Sequence, residues 1–129
     1  MKIVDSVGWV AYFMGGPLAD TYEEHLMDPE EVMTPSIVFY EVYKHVLRAR
    51  GEDLAAAAGA LMERTEIVDL DPGLALSAAE LSLERRLPMA DAIIYATAQA
   101  YEVPLVTSDA HFEGLPGVEY IPRATGDPR

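Results

Sequence analysis

Short apolar runs alternate along the chain with longer stretches whose apolar residues recur at helical spacing. "KIVD" (2–5), "VMT" (32–34), "EIVDL" (66–70), "PLVTSD" (104–109) and "VEYI" (118–121) predict five short strands. Ser6 is expected to cap a helix through "VGWVAYF" that "MGGP" (14–17) stops, and "LADTYEEHL" forms a second amphipathic helix up to the break at "DPEE". "TPS" opens a long helix, "IVFYEVYKHVLRAR", closed by Gly51, and "EDLAAAAGALMER" is another, its alanine tract a close-packed face. Asp71 and Pro72 open the helix "DPGLALSAAELSLERR", and a last helix runs through "LPMADAIIYATAQA" (87–100), with Pro88 in its first turn. Strands alternating with helices predict an α/β fold, a mainly parallel sheet covered on both faces. One domain is expected over residues 1–122, followed by a frayed tail over 123–129.

Asp91 interrupts the apolar face of the last helix. Ile94, Tyr95 and Ala98 share its side at i+3, i+4 and i+7, so the acid points toward packing. A desolvated carboxylate is expensive unless it is paired, hydrogen-bonded or bound to a cation. Three more acids fall at the same edge of a parallel sheet, where ligands bind beyond the strand ends. Asp5 ends the first strand, Asp109 ends "PLVTSD", and Glu41 lies near the start of the helix after the second strand. Two carboxylates about 4 Å apart repel by roughly 4 kcal/mol at an effective dielectric near 20. Four together require raised pKa values, basic partners or a divalent cation. No Lys or Arg follows any of them within two positions, and oxygen ligands suit Mg²⁺ or Mn²⁺. Taken singly, three of the acids have a plainer reading, Asp5 or Asp109 as a cap and Glu41 paired with Lys44 or His45 on its own helix, whereas a plain cap does not explain Asp91 inside an apolar face. Asp71 reads as an ordinary cap, Asp69 as mid-strand, and His25 and His45 as surface residues; His111 is a loop histidine nearer the acids.

Composition narrows the field. The chain has 129 residues, half of them hydrophobic, enough for one core. It has no cysteine, which excludes disulfides and thiolate metal sites. "MKIVDS" lacks the apolar region of a signal peptide and "AIIYATAQAY" falls short of a membrane span, so a cytoplasmic protein is expected. A formal charge of −13 argues against coating nucleic acid by bulk electrostatics. A polyanionic substrate would need a metal and a local basic patch.

The stretches "IVDSVGWVAYF" (3–13), "TPSIVFYEV" (34–42) and "LPMADAIIYATAQAYEVPLVTSDAHFEGLPGVEYI" (87–121), in this order and spacing, resemble the PIN-domain family, most closely its VapC-type toxins of toxin–antitoxin pairs. The resemblance spans nearly the whole chain, with residues 50–86 matching only in helical character. It implies a three-layer α/β/α sandwich around a short parallel sheet, and maps the family's four acids onto Asp5, Glu41, Asp91 and Asp109. Ser6 and Thr107 stand where the family often carries a hydroxyl, which implies accessory contacts to water or phosphate. Many relatives carry a further acid where this chain has His111, leaving open whether that histidine takes part.

The activity implied is that of a Mg²⁺- or Mn²⁺-dependent endoribonuclease, the toxin of a type II toxin–antitoxin pair. Asp5, Asp91 and Asp109 would hold the cation directly or through water, with Glu41 closing the cluster and orienting the attacking water. Lys44 and Arg48 lie on Glu41's helical face at i+3 and i+7, where they either steer a phosphate chain or form a solvated face. The resemblance also implies an RNA substrate, a cognate antitoxin covering the site, and a homodimer. A phosphoacceptor receiver is disfavoured because "TSDAHF" lacks the lysine it needs, and an aspartyl phosphatase because position 7 is Val7, not a second aspartate. The remaining alternative is a non-catalytic PIN-like module that binds a metal or a partner without cutting.

Overall fold

The computed structural model describes residues 1–123. Five strands form one sheet: β1 (Lys2–Val4), β2 (Val32–Pro35), β3 (Glu66–Val68), β4 (Leu105–Thr107) and β5 (Val118–Tyr120). Their spatial order is β3-β2-β1-β4-β5, and every neighbouring pair is parallel. Register places Ile3 beside Met33 on one side and Leu105 on the other, and Val4 beside Val106. All of these side chains are buried, as expected for strands covered on both faces.

Six helices connect the strands: α1 (Ser6–Met14), α2 (Ala19–Leu26), α3 (Ser36–Arg50), α4 (Glu52–Met62), α5 (Pro72–Arg85) and α6 (Met89–Ala100). The expected sandwich is therefore present, with a parallel sheet between helices. The chain leaves the central β1 toward β2 and later returns to its other side as β4, so the strand order reverses at β1. Crevices beyond the strand ends at such a reversal are where α/β sheets bind ligands. No helix among the described residues is long and apolar enough to cross a membrane.

Several local expectations change. Ser6 is the first residue of α1 and not its cap; Asp5 is the cap, its carboxylate accepting the Ser6 N–H. Asp serves there because its carboxyl oxygen accepts one of the first-turn N–H groups that have no partner within the helix. β3 stops at Val68, so Asp69 lies beyond the strand and is exposed. His25 is only partly exposed, its ring 3.2 Å from Glu119 Oε2 and 3.2 Å from Lys2 Nζ. His45 is likewise half-buried. Two 3₁₀ turns, Pro29–Glu31 and Ala110–Phe112, were not foreseen, and the tail from residue 124 onward lies outside the described residues.

The α1–α2 contact depends on Gly8. A Cβ there would overlap the ring of buried Tyr22 and fall 2.8 Å from Val4 Cγ1. Tyr22 is also fixed at its other end, where its hydroxyl and Ser108 Oγ lie 2.6 Å apart. Gly8→Ala is expected to destabilise the fold by about 1–3 kcal/mol through overpacking, read as a lowered midpoint in thermal or denaturant unfolding; an unchanged midpoint would show that the α1–α2 pair separates freely.

Candidate active site

The carboxyl edge of the sheet carries the four acids singled out above. Asp5 follows β1 and is buried, with 1% of its surface exposed. Its Oδ1 accepts the Ser6 N–H at 2.8 Å, and its Oδ2 accepts the Thr107 hydroxyl at 2.7 Å. Glu41 stands in the second turn of α3 and accepts a hydrogen bond from Ser6 Oγ at 2.8 Å. Asp109 follows β4, is buried, donates its N–H to Thr107 Oγ1 at 2.9 Å and caps the 3₁₀ turn by accepting the His111 N–H. Asp91 sits in the first turn of α6. Ile94, Tyr95 and Ala98 beside it are buried, as its helical face requires.

Between the acids stand three bridging residues. Ser6 joins Glu41 to Asp5, Thr107 joins Asp5 to Asp109, and His111 joins Asp109 to Asp91. The result is one continuous chain, Glu41–Ser6–Asp5–Thr107–Asp109–His111–Asp91, drawn from β1, α1, α3, β4, α6 and the turn after β4. The His111 Nδ1 lies 2.9 Å from Asp91 Oδ2 and 3.0 Å from Asp109 Oδ1, so one ring nitrogen faces both carboxylates. The ring of His111, a loop histidine in the sequence, thus lies between two of the acids.

Burial and mutual repulsion govern the charge state. Desolvation pushes Asp5 up to about 7, against the Thr107 and Ser6 hydrogen bonds that favour its charge and with the neighbouring Asp91 and Asp109 charges adding to the rise. Desolvation also pushes Asp91 up to about 6, with Asp109 and Glu41 raising it and His111 opposing. These acids hold protons at a pH where a solvated aspartate has none.

Among the described residues, Asp91, Asp109 and His111 each offer a ligand atom lying within 4.8 Å of the others. Two hard carboxylate oxygens and an imidazole nitrogen at that separation fit a single divalent cation. Asp5 and Glu41 are not in that compact set; both reach it through hydroxyl bridges. Lys44 and Arg48 are exposed on α3 and line a cleft that begins at Glu41 and Ser6. Lys44 lies over the Tyr40 ring, 5.3 Å from its centroid, and not on Glu41. Two features escaped sequence reasoning. Ser108, next to two singled-out residues, gave no signal of its pairing with Tyr22, and Arg123, at the edge of the expected tail, lines the same cleft.

Comparison with known proteins agrees with this geometry. No curated protein matches the sequence significantly. The structure is similar to a toxin–antitoxin complex from Klebsiella pneumoniae, with 26% identity, a TM-score of 0.77, and coverage of 92% of this chain and 96% of that one. It has the fold of Mycobacterium tuberculosis VapC20, described as a sarcin–ricin loop cleaving toxin, with 24% identity, a TM-score of 0.80, and coverage of 95% and 100%. It shares that fold too with VapBC2 of Rickettsia felis, solved bound to a DNA fragment from their promoter, with 20% identity, a TM-score of 0.72, and coverage of 92% and 97%. The model of the PIN domain matches residues 2–118, which takes in every acid of the cluster, and the chain belongs to the PIN domain family.

Proposed function

We propose that this chain is a Mg²⁺- or Mn²⁺-dependent endoribonuclease acting as the toxin of a type II toxin–antitoxin pair. The observation that carries the reading is the linked set of four acids, two of them held up to about 7 and about 6, at the crevice where the strand order reverses. Desolvated like charges at close quarters gain most from a divalent cation. Membership of a family whose solved relatives include toxin–antitoxin complexes supports the biological setting.

In this reading Asp91, Asp109 and His111 are the residues that would hold the cation. A bound Mg²⁺ or Mn²⁺ supplies a Lewis acid that lowers the pKa of water and offsets the charge gathering on the phosphorus. Asp5, through the Thr107 hydroxyl that accepts the Asp109 N–H, fixes the backbone from which the Asp109 carboxylate projects. Glu41, held by Ser6, orients the attacking water and takes its proton. The water oxygen bonds to phosphorus as its proton passes to Glu41, one P–O ester bond breaks, and the leaving oxygen takes up a proton from solvent. A cognate antitoxin covers the crevice, a second copy of the chain completes a homodimer, and the protein works in the cytoplasm.

Two measurements follow. Purified protein freed of any antitoxin, given single-stranded and structured RNAs with Mg²⁺ or Mn²⁺, is expected to cut; EDTA abolishes cleavage, and Asp91→Asn slows it by about a hundredfold or more. Metal binding by calorimetry without cleavage of a broad RNA set would instead favour a PIN-like module that binds and does not cut. The second concerns stability. Folded Asp5 and Asp91 hold protons up to about 7 and about 6, whereas the unfolded chain releases them near 3.8. The metal-free fold therefore loses stability as pH rises from about 4 to about 7. Mn²⁺ is expected to raise the melting temperature most at pH 7.5 to 8 and little at pH 5; a metal response independent of pH would remove these two acids from the site.

A further inference from the structure

A cleft of about 490 Å³ runs from the carboxylate cluster between α1 and α3, within the size range of small-molecule sites. Its two walls differ in kind. Val7, Val10, Ala11 and Met14 recur at i, i+3, i+4 and i+7 along α1, giving an apolar stripe that is only half-buried. Glu41, Lys44, His45 and Arg48 repeat the same spacing along α3 and form the facing polar wall. Arg123 joins from the end of the described chain, and its Nη2 is buried without a hydrogen-bond partner among the described residues.

The charge of this lining is the reverse of the protein's. The chain has nine Lys and Arg against 22 Asp and Glu. Lys44, Arg48 and Arg123, three of those nine, line the one cleft, and Glu41 is the sole acid among its lining residues. A buried guanidinium edge without a partner gains strongly from an arriving anion. The cleft then suits an occupant that is anionic on one side and apolar on the other. Glu41 belongs both to the cleft and to the chain of acids, so whatever enters the cleft continues the molecule that reaches those acids. From Glu41 to Arg48 the α3 wall runs about 10 Å.

We infer that this cleft is a nucleotide subsite: it takes the residue of a single-stranded RNA next to the bond addressed by the acids, with its phosphate on Arg48, Lys44 and Arg123 and its base against the apolar stripe of α1. The inference rests on the nuclease reading for which bond is cut, and stands apart from it for what is bound. The test is fluorescence anisotropy in EDTA with a labelled eight-nucleotide RNA, so that cleavage does not enter. Arg48→Ala combined with Arg123→Ala is expected to weaken binding about tenfold or more and to reduce the slope of log K against log salt by about 0.7, one phosphate contact on a single strand. Arg64→Ala combined with Arg85→Ala, away from the cleft, leaves binding and slope unchanged. An abasic ribose–phosphate chain of equal length is expected to bind about tenfold more weakly than the RNA, because burial of the base against the apolar wall is lost. Matched melting curves establish that each variant is folded. Wild-type affinity and slope in the cleft variant overturn the assignment, as does a shift from dimer to monomer in sedimentation with RNA binding intact, which would make the cleft an interface between copies. RNA bound through the cleft but left uncut with Mn²⁺ overturns the nuclease reading and spares the cleft; RNA cut by the cleft variant with an unchanged KM does the opposite.

Discussion

Everything at this edge of the molecule turns on the burial of one carboxylate. Asp5 lies just beyond the central strand with 1% of its surface exposed, and desolvation is the largest influence on its carboxyl. Its two oxygens take hydrogen bonds from two different elements, Oδ1 from the first residue of α1 and Oδ2 from Thr107 of β4. The same contacts that offset its burial thus fix where α1 leaves the sheet and how β4 docks against β1. A residue that caps a helix, ties two strands and repels two neighbouring acids cannot be exchanged for an apolar one without altering all three.

The architecture and the acids were legible in the sequence for related reasons. Parallel strands buried on both faces read as short apolar runs, and the acids stood out because they ended those runs or, as with Asp91, broke an apolar helical face. What joined them was not legible. Ser6 carried the composition of a cap, yet Asp5 took that role, because the helix begins one residue earlier than the serine suggested and leaves the hydroxyl free to reach Glu41. His111 looked like a loop histidine, since no local pattern indicates that a 3₁₀ turn swings its ring between Asp109 and Asp91. The Tyr22–Ser108 pair and the position of Arg123 join residues far apart in the chain, and no spacing rule records such pairs.

Net charge misleads when taken as an average. A value of −13 describes a surface that repels polyanions, while two helix faces arrange a confined region of the opposite character. The apolar stripe of α1 and the basic stripe of α3 obey the same helical spacing, so the boundary between them follows from the packing of those two helices. Focusing of field lines in a cleft with low-dielectric walls strengthens such a local excess against the background.

The bond between Thr107 and Asp5 closes a separation of 102 residues. During synthesis, Asp5, Ser6 and Glu41 leave the ribosome early, while Thr107, Asp109 and His111 come only after most of the chain has been made. Long-range pairings of this kind form late because loop closure must precede them. A nascent or truncated chain can therefore hold half of the acids and none of the bridges that join them to the rest. Completion of the cluster therefore coincides with completion of the fold, and a partially made copy has the first acids without the residues that link them to the others.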